Sequence, residues 1–533
     1  MNDRCAPHER IGSQYLSSRR AVAFLLIFMS VLVSCTGMDP GPRTKDRRMV
    51  QLGPSGFTLH DSVFFPLAVN YIASARWEGG QLWFGPAADY RNSRAEHYCP
   101  KDTASARFRA DMEMIRDLGF NTVRIVGIWS DLDRDDTKDS LGLSAANLPG
   151  RDTLLLFASE ASWPPYLQAL EELFTICAES GLMVIPLTTI PVDMPETDPY
   201  LARYLDHFRN DTNILAFDLF NEPLYFDRLE RPKQVAIRTV ARWRKLMDEH
   251  APDHLFTLGL TGIREAFEFD PELIDVDFIS FHPYDYERDQ VMNELAWYGK
   301  ELTVPWMVGE TAIPADNDSV LFDEQRAFAE RTLAQARACG ATGYSWWQYK
   351  DVRWHEFHPS HMGVLAREGF SRTRQGHLVE GTPKPVADVF RTFDPQAPKG
   401  PCMELPNYYN YSGHSTSRIC GKLVDASGDP VRQGVIIGWD EHWSASYHTV
   451  TLDDGSFELL GDFRFHHWMA TGLRYSVKRG DPGEDLFTAA GDSIPTYDLG
   501  TITLYGTDRW GSLLEWADRK MQRFGDGHSR VGP

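Results

Sequence analysis

A chain of 533 residues is too long for one ordinary core, so two or more domains are expected. Hydrophobic content of 42% and charged content of 24% are those of a globular protein. A formal charge of −21 argues against nucleic acid or anionic lipid as the main partner, because both need a basic surface, and suits a body working on a neutral polymer.

Arg19 and Arg20 precede the apolar run from Ala21 to Val33. That run is shorter than the roughly 20 residues a spanning helix needs, so residues 1–34 read as a targeting segment outside the fold. It ends Leu32-Val33-Ser34-Cys35, which resembles a bacterial lipobox. The resemblance implies removal of the leader, lipidation of Cys35 and an extracytoplasmic, membrane-anchored protein. Thr36 at the next position implies the outer membrane where the cell has one. An ordinary secretory signal with a chance cysteine is the alternative. Residues 35–55 are polar and rich in Gly, Pro, Arg and Lys, as in a tether. Of seven cysteines, five remain without Cys5 and Cys35, an odd number that excludes a full disulfide framework. Cys402 and Cys420 flank a linker and can pair in an oxidising compartment. Cys177 falls in a predicted helix as a small core residue. No CxxC spacing suggests zinc.

From residue 56 the pattern alternates strand and helix. Phe64–Tyr71 is a first strand, followed by a long aromatic loop with Trp77, Trp83, Phe84, Tyr90 and Tyr98. Helical spacing over Ala104–Leu118 ends at Gly119. Asn121–Trp129 is the second strand, and 130–163 is a long connection of the kind that carries function. A helix over Tyr166–Ser180 leads to strand three, Leu182–Leu187, and a short helix at 199–212. Ile214–Asn221 is the fourth strand, an apolar, aromatic run stopped by Pro223. A helix over Leu229–His250 precedes the fifth strand, Leu255–Leu260. Val276–His282, Pro305–Gly309 and Thr342–Trp347 are strands six to eight, with helices at Gln290–Glu301, Asp323–Cys339 and Pro385–Phe393. Eight βα units with near-continuous apolar strands predict a (β/α)8 TIM barrel over 56–395. A doubly wound open sheet is the alternative, weakened by the lack of a Gly-rich nucleotide loop after the first strand.

Residues 396–414 are a Pro/Gly/Tyr-rich linker, after which the period changes to two over 415–505. Alternating runs such as Ile419–Val424, Gly434–Trp439, Tyr447–Leu452 and Thr501–Leu504 predict a small all-β sandwich. Through GKLVDASGDPV and TLDDGSFEL it resembles the carboxypeptidase regulatory-like (transthyretin-like) sandwich, which implies an accessory module. In 506–533, Trp510, Leu513, Leu514, Ala517, Met521 and Phe524 share one helical face, that of a docking helix.

In a barrel the catalytic groups stand at the carboxyl ends of strands. Arg124 lies on strand two, Asn221 and Glu222 end strand four, and His282 and Tyr284 follow strand six. Glu310 ends strand seven, and Trp346 and Trp347 end strand eight. Two facing carboxylates are what glycoside hydrolysis needs: one protonates the leaving oxygen and the other attacks the anomeric carbon or activates water. The set resembles a clan A (4/7 superfamily) glycoside hydrolase, most like glycoside hydrolase family 5, over roughly 60–395. The resemblance implies Glu222 as acid/base, Glu310 as nucleophile, Arg124 and Tyr284 as its supports, and His282 and Trp347 or Trp346 as substrate contacts. Asn221 suits a bond to the sugar 2-hydroxyl. Strand three departs from the family pattern by offering Thr188 and Thr189 where a histidine is usual.

Trp77, Trp83 and Trp129 are further candidates for sugar subsites, with core packing the alternative for each. Asp218, inside strand four, needs a partner, and Arg124 is the candidate. His355, His358 and His361 have near-metal spacing without a completed ligand set, and Glu265, Glu268, Asp270 and Glu272 read as a solvated loop. The expectation is a lipid-anchored retaining β-glycoside hydrolase acting on a β-mannan or β-glucan, without cofactor, metal or nucleic-acid partner. A non-catalytic glycan-binding lipoprotein and a transglycosylase using the same glutamates are the rivals.

Overall fold

The computed structural model describes residues 48–87, 99–131, 141–147, 151–192, 194–226, 231–284, 288–353, 357–404, 413–481, 487–488, 494–508, 511 and 513–515. The folded body starts before the predicted tether ends. Met49 and Val50 are buried, and β1 (Gln51–Gly53), β2 (Gly56–Leu59) and β3 (Ser62–Val63) form a small antiparallel sheet. Its Phe57 meets Phe278 edge-on and joins Met183, Leu255 and Met307 in one apolar cluster. Met183, Leu255 and Phe278 open their strands, so this sheet closes the amino-terminal end of the central sheet.

That sheet contains eight parallel strands, and the fold is mixed α/β. In chain order they are β4 (Leu67–Glu78), β6 (Thr122–Val126), β10 (Met183–Pro186), β11 (Ala216–Asn221), β12 (Leu255–Leu260), β13 (Phe278–Phe281), β14 (Trp306–Val308) and β15 (Tyr344–Trp346). The hydrogen-bonded order is β10-β6-β4-β15-β14-β13-β12-β11. The two end strands also meet: Val184 bridges Ile214, Leu187 bridges Asp218, and Leu215 N donates to Val184 O at 2.8 Å. The path therefore returns on itself. With helices outside and side chains inside, both faces of each strand are covered, which explains the near-continuous apolar runs. The first strand runs on beyond the ring to pair with β5 (Gln81–Pro86), beside β7 (Ser130–Asp131), β8 (Leu141–Asn147) and β9 (Arg151–Leu156).

Among the described residues, seven helices of six residues or more flank the ring: α1 (Lys101–Asp117), α2 (Trp163–Glu179), α3 (Asp198–Phe208), α4 (Lys233–His250), α5 (Arg288–Glu301), α6 (Phe322–Ala338) and α7 (Val386–Arg391). The sequence places no helix between its fifth and sixth strands, and the fully described connection from β12 to β13 holds only a 3-10 turn, Ile263–Phe267. After β15 the chain adds a hairpin, β16 (Leu365–Arg372) with β17 (Leu378–Pro383).

The C-terminal module has two four-stranded sheets. One has the order β21-β18-β25-β24, with β18 Ser417–Val424, β21 Ser456–Gly461, β24 Phe487–Thr488 and β25 Thr496–Thr503. The other is β20-β19-β22-β23, with β19 Val435–Trp439, β20 Ser446–Val450, β22 His467–Thr471 and β23 Lys478–Gly480. Ile419, Ile436, Phe457, Leu459, Ala470 and Tyr497 make a core between them. The alternate residues Val435, Ile437 and Trp439, with Val450 and Met469, belong instead to the core of the α/β body. Strand β19 is thus buried on both faces. It lies with β22 against the 3-10 turn, where a fifth helix would otherwise pack.

The module also makes the turn's exit segment an interior one, correcting the expectation of a solvated loop. Glu265, Glu268 and Asp270 are 0%, 2% and 0% exposed. Glu268 pairs with Arg231 at 2.9 Å. Asp270 pairs with Lys233 at 2.7 Å, whose Nζ also donates to Gly472 O at 3.0 Å. Glu272 pairs with Arg474 at 2.7 Å. A buried carboxylate persists only when paired or protonated, and the module supplies part of that pairing.

The linker is pinned rather than free over its described half. Arg337 donates to Pro395 O and Ala397 O, and Cys402 is bonded to Cys339, not to Cys420, which is a free thiol. Cys177 is buried in α2 as expected. The predicted leader and Cys35 lie outside the described residues, as does most of 506–533; Leu513 and Leu514 are about half exposed. Among the described residues no helix is long and apolar enough to cross a membrane.

Candidate active site

The carboxyl ends of β11, β13, β14 and β15, with Asn70 inside β4 and Arg124 inside β6, converge on a buried polar network. Arg124, 1% exposed on β6, is its hub. Its Nε donates to Asp218 Oδ2 at 2.8 Å, and Nη1 donates to Glu310 Oε1 at 2.5 Å and Asn70 Oδ1 at 2.9 Å. Nη2 donates to Asn221 Oδ1 at 2.8 Å. A guanidinium is a planar fork of donors that stays charged, which is what two buried carboxylates and two amides require. Asn70 in turn donates to Gly309 O, Ser345 Oγ and Trp346 O. One side chain thereby ties β4 to β14 and β15.

Glu310, one residue past the Gly309 that follows β14, also accepts from Tyr284 Oη at 3.1 Å. Burial, helped by the Glu222 carboxyl, raises its pKa on balance, against the pull of His282, Arg124 and the Tyr284 hydroxyl. Both hydrogen-bond partners only donate to it, so the ionised form is the one that satisfies them. Burial lowers the Arg124 pKa, but Asp218 and Glu310 outweigh it and the net shift is upward.

Glu222 stands in different company. Its strand ends at Asn221, and its backbone takes a φ of +48°, a left-handed conformation uncommon outside glycine. Such strain costs on the order of 1–3 kcal/mol and is held by bonds on both sides. Glu222 N donates to Gly259 O at 2.8 Å. Among the described residues its carboxyl hydrogen-bonds only an imidazole, His282 Nδ1, at 2.8 Å. Burial, partly offset by Arg124 and Arg264, raises its pKa to about 7. Burial likewise lowers His282 to about 4, so the ring is neutral near pH 7. A Cβ at Gly259 would stand 2.6 Å from this ring and one at Gly309 3.0 Å, so both glycines are needed to hold it flat between strands.

One atom from each of Glu222, His282 and Glu310 lies within 4.8 Å of the others, a spacing that could hold a cation. Arg124, 2.5 Å from Glu310, sets a fixed positive charge beside that point and disfavours one. Asp218 is Arg124's partner as expected, and Thr188 is buried with its backbone N on Asp218 O at 2.8 Å.

The tryptophans divide sharply. Trp347 is half-buried among Ile72, Val126 and Val352 at the strand ends. Its neighbour Trp346 is fully buried, donates to Met362 O and packs on Phe328 and Phe390 outside the ring, which removes it as a substrate contact. Adjacent strand residues face opposite sides, so only one of the pair can face the site. Trp129 is also withdrawn: it is 4% exposed within a cluster of Phe157, Tyr166 and Tyr204. Trp77 is partly buried on the β4 extension, seven residues beyond Asn70 and about 20 Å along the strand. Trp83 is buried, with Nε1 on Cys99 O. His355 and the His358 side chain lie outside the described residues. Asn70 was not expected, although an asparagine inside an apolar strand was its signal. Glu265, a further buried carboxylate near Glu222, carried only the pattern of a solvated loop.

No family model and no curated protein matches this chain. Solved structures with a similar course include a β-glucuronidase of Bacteroides uniformis, 12% identical with a TM-score of 0.42. The chain aligns over 84% of its own length but spans about half, 47%, of that enzyme. The GH5_18 protein of Streptomyces cattleya, in complex with Manb1-4GlcNAc, is 16% identical, with a TM-score of 0.42 over 61% of this chain and 80% of that one. The exo-β-1,4-mannosidase Op5Man5 of Opitutaceae bacterium strain TAV5 is 17% identical, with a TM-score of 0.41 over 65% and 61%.

Proposed function

We propose that this protein is a retaining β-glycoside hydrolase, with the returning eight-strand path a (β/α)8 barrel and the C-terminal module a transthyretin-like sandwich. One observation carries the reading: two buried glutamates have carboxylate oxygens within 4.8 Å but opposite surroundings. Retaining enzymes hold their carboxyls about 5–5.5 Å apart, closer than the gap that admits a water between carboxylate and sugar.

Glu310, held as an anion by Arg124 and Tyr284, attacks the anomeric carbon and forms a glycosyl ester. Glu222, neutral up to about pH 7, gives its proton to the departing oxygen, then as a carboxylate takes one from the incoming water. Arg124 holds Asn221 by its Oδ1, which turns the amide Nδ2 elsewhere to meet the sugar 2-hydroxyl. Trp347 is the platform for an apolar sugar face. No step calls for a metal or cofactor. A β-mannan or β-glucan is the proposed substrate class. The protein is proposed to sit on the cell surface through lipidated Cys35, and Cys35→Ala should release it from membranes.

The test is trapping. A 2-fluoro aryl β-glycoside should leave one sugar on the peptide carrying Glu310, and Glu310→Ala should abolish both labelling and turnover. Glu222→Gln should lose about 10²–10⁴-fold on substrates whose leaving group needs a proton. Wild-type turnover by both variants would return the chain to a glycan-binding role.

A further inference from the structure

Glu265 is buried on the 3-10 turn after β12. Its Oε1 accepts from Thr261 Oγ1 at 2.9 Å and Thr261 N at 3.4 Å, both within its own turn. It accepts a third bond from Leu224 N at 3.1 Å, across 41 residues, two positions after Glu222. Its Oε2 is buried without a hydrogen-bond partner in the described structure. A loop staple needs the local bonds only. The bond to Leu224 does something else: with Glu222 N on Gly259 O, it fastens the chain on both sides of a glutamate in a left-handed conformation.

The turn is itself held from outside. Strands β19 and β22 lie against it. Glu294 on α5 stands so near that a Cβ at Gly262, φ +128°, would come within 2.5 Å of its Oε2, and His448 of β20 approaches the other oxygen at 3.7 Å. The contacts climb α5 in order. Trp297 donates to Gln433 O just before β19, and one turn nearer the start of α5, Glu294 meets His448, which pairs with Ile437. The module therefore packs along α5 and onto the 3-10 turn.

We propose that Glu265 is a positioning residue for proton donation by Glu222, and that the C-terminal module holds Glu265 in place. This rests on the glycosidase reading of the site. Among the described residues, the charged and titratable groups around Glu222 are Arg124, Arg264, Glu265, His282, Tyr284 and Glu310, and Glu265 is the one that also bonds the backbone beyond it.

The full-length chain is assayed on two aryl β-glycosides of one sugar, with phenyl and 2,4-dinitrophenyl leaving groups. Dinitrophenolate departs without a proton, so only the phenyl substrate reports the acid. Glu265→Ala should lower kcat/KM about tenfold or more on the phenyl substrate and less than about twofold on the dinitrophenyl one, within the range of a misplaced general acid. Glu265→Gln, which keeps an acceptor for Leu224 N, should recover most of that loss. If Glu265→Ala does not fold, Glu265→Asp, one methylene too short to reach Leu224, should show the same selectivity more weakly. Equal loss on both substrates, or none on the phenyl one, overturns the proposal. Glu222→Gln is the control: if it shows the leaving-group selectivity and the Glu265 variants do not, this inference alone fails. If Glu222→Gln lacks it, the reading of the site fails.

Discussion

The two halves of the candidate site are supported in different ways. The Glu310 half is built from the ring alone: Arg124 on β6, Asn70 on β4 and Tyr284 after β13 meet within one shared interior. The Glu222 half leans outward, through Gly259 and Glu265, onto a turn that the C-terminal module covers. An anion can be stabilised by charges fixed in a close-packed interior. A proton donor must be kept neutral in a strained pose, and the missing fifth helix leaves that task to an added part.

The largest expected effect breaks the self-supporting half. Arg124→Met strands Asp218 and Glu310 as buried carboxyls without their partner, which should cost about 3–5 kcal/mol of stability. Chemical denaturation measures it, and a loss below about 1 kcal/mol would mean the network does not depend on its hub. A smaller effect breaks the leaning half. Ile437→Ala removes a methyl-rich contact between β19 and the body, for about 2–4 kcal/mol. It should reduce turnover of the phenyl substrate more than that of the dinitrophenyl one, whereas a module that merely rides along would spare both.

The smallest effect is one of pH, and it sharpens the same contrast. Burial raises Glu222 and Glu265 from 4.5 to about 7, so the folded chain keeps protons that the unfolded chain has released. The stability this contributes is complete below about 4.5 and is lost as pH rises through about 7. Melting temperature should therefore fall over that window, less steeply in Glu265→Gln. The kcat/KM of wild type should fall above about pH 7 as Glu222 ionises. A basic limb unmoved by Glu222→Gln would assign it to another group.

Much of the inner site can be read from the chain because apolar runs set where strands stop, and a parallel ring turns every stop toward one rim. Asn221, Glu222, His282, Tyr284 and Glu310 all follow from that one rule, and the structure brings them together around Arg124, which lies inside its strand. The outer features obey no such local rule. Trp346 and Trp347 are identical in composition and adjacent in sequence, and only the side on which α6 and α7 pack decides which is buried. Glu265, Glu268 and Asp270 carry the pattern of a solvated loop, and become interior because a sheet some 200 residues later settles over them. Cys339 rather than Cys420 bonds Cys402 because the linker lies along α6.

By itself, then, the sequence determined the α/β alternation, the second β module and the residues at the strand ends, since each depends on short-range periodicity. The tertiary structure alone decided that the module fills the place where a fifth helix would pack, and that Glu265 is buried beside Glu222. These depend on which surfaces meet, and a local pattern of polar and apolar residues is the same whether a surface meets water or another part of the chain.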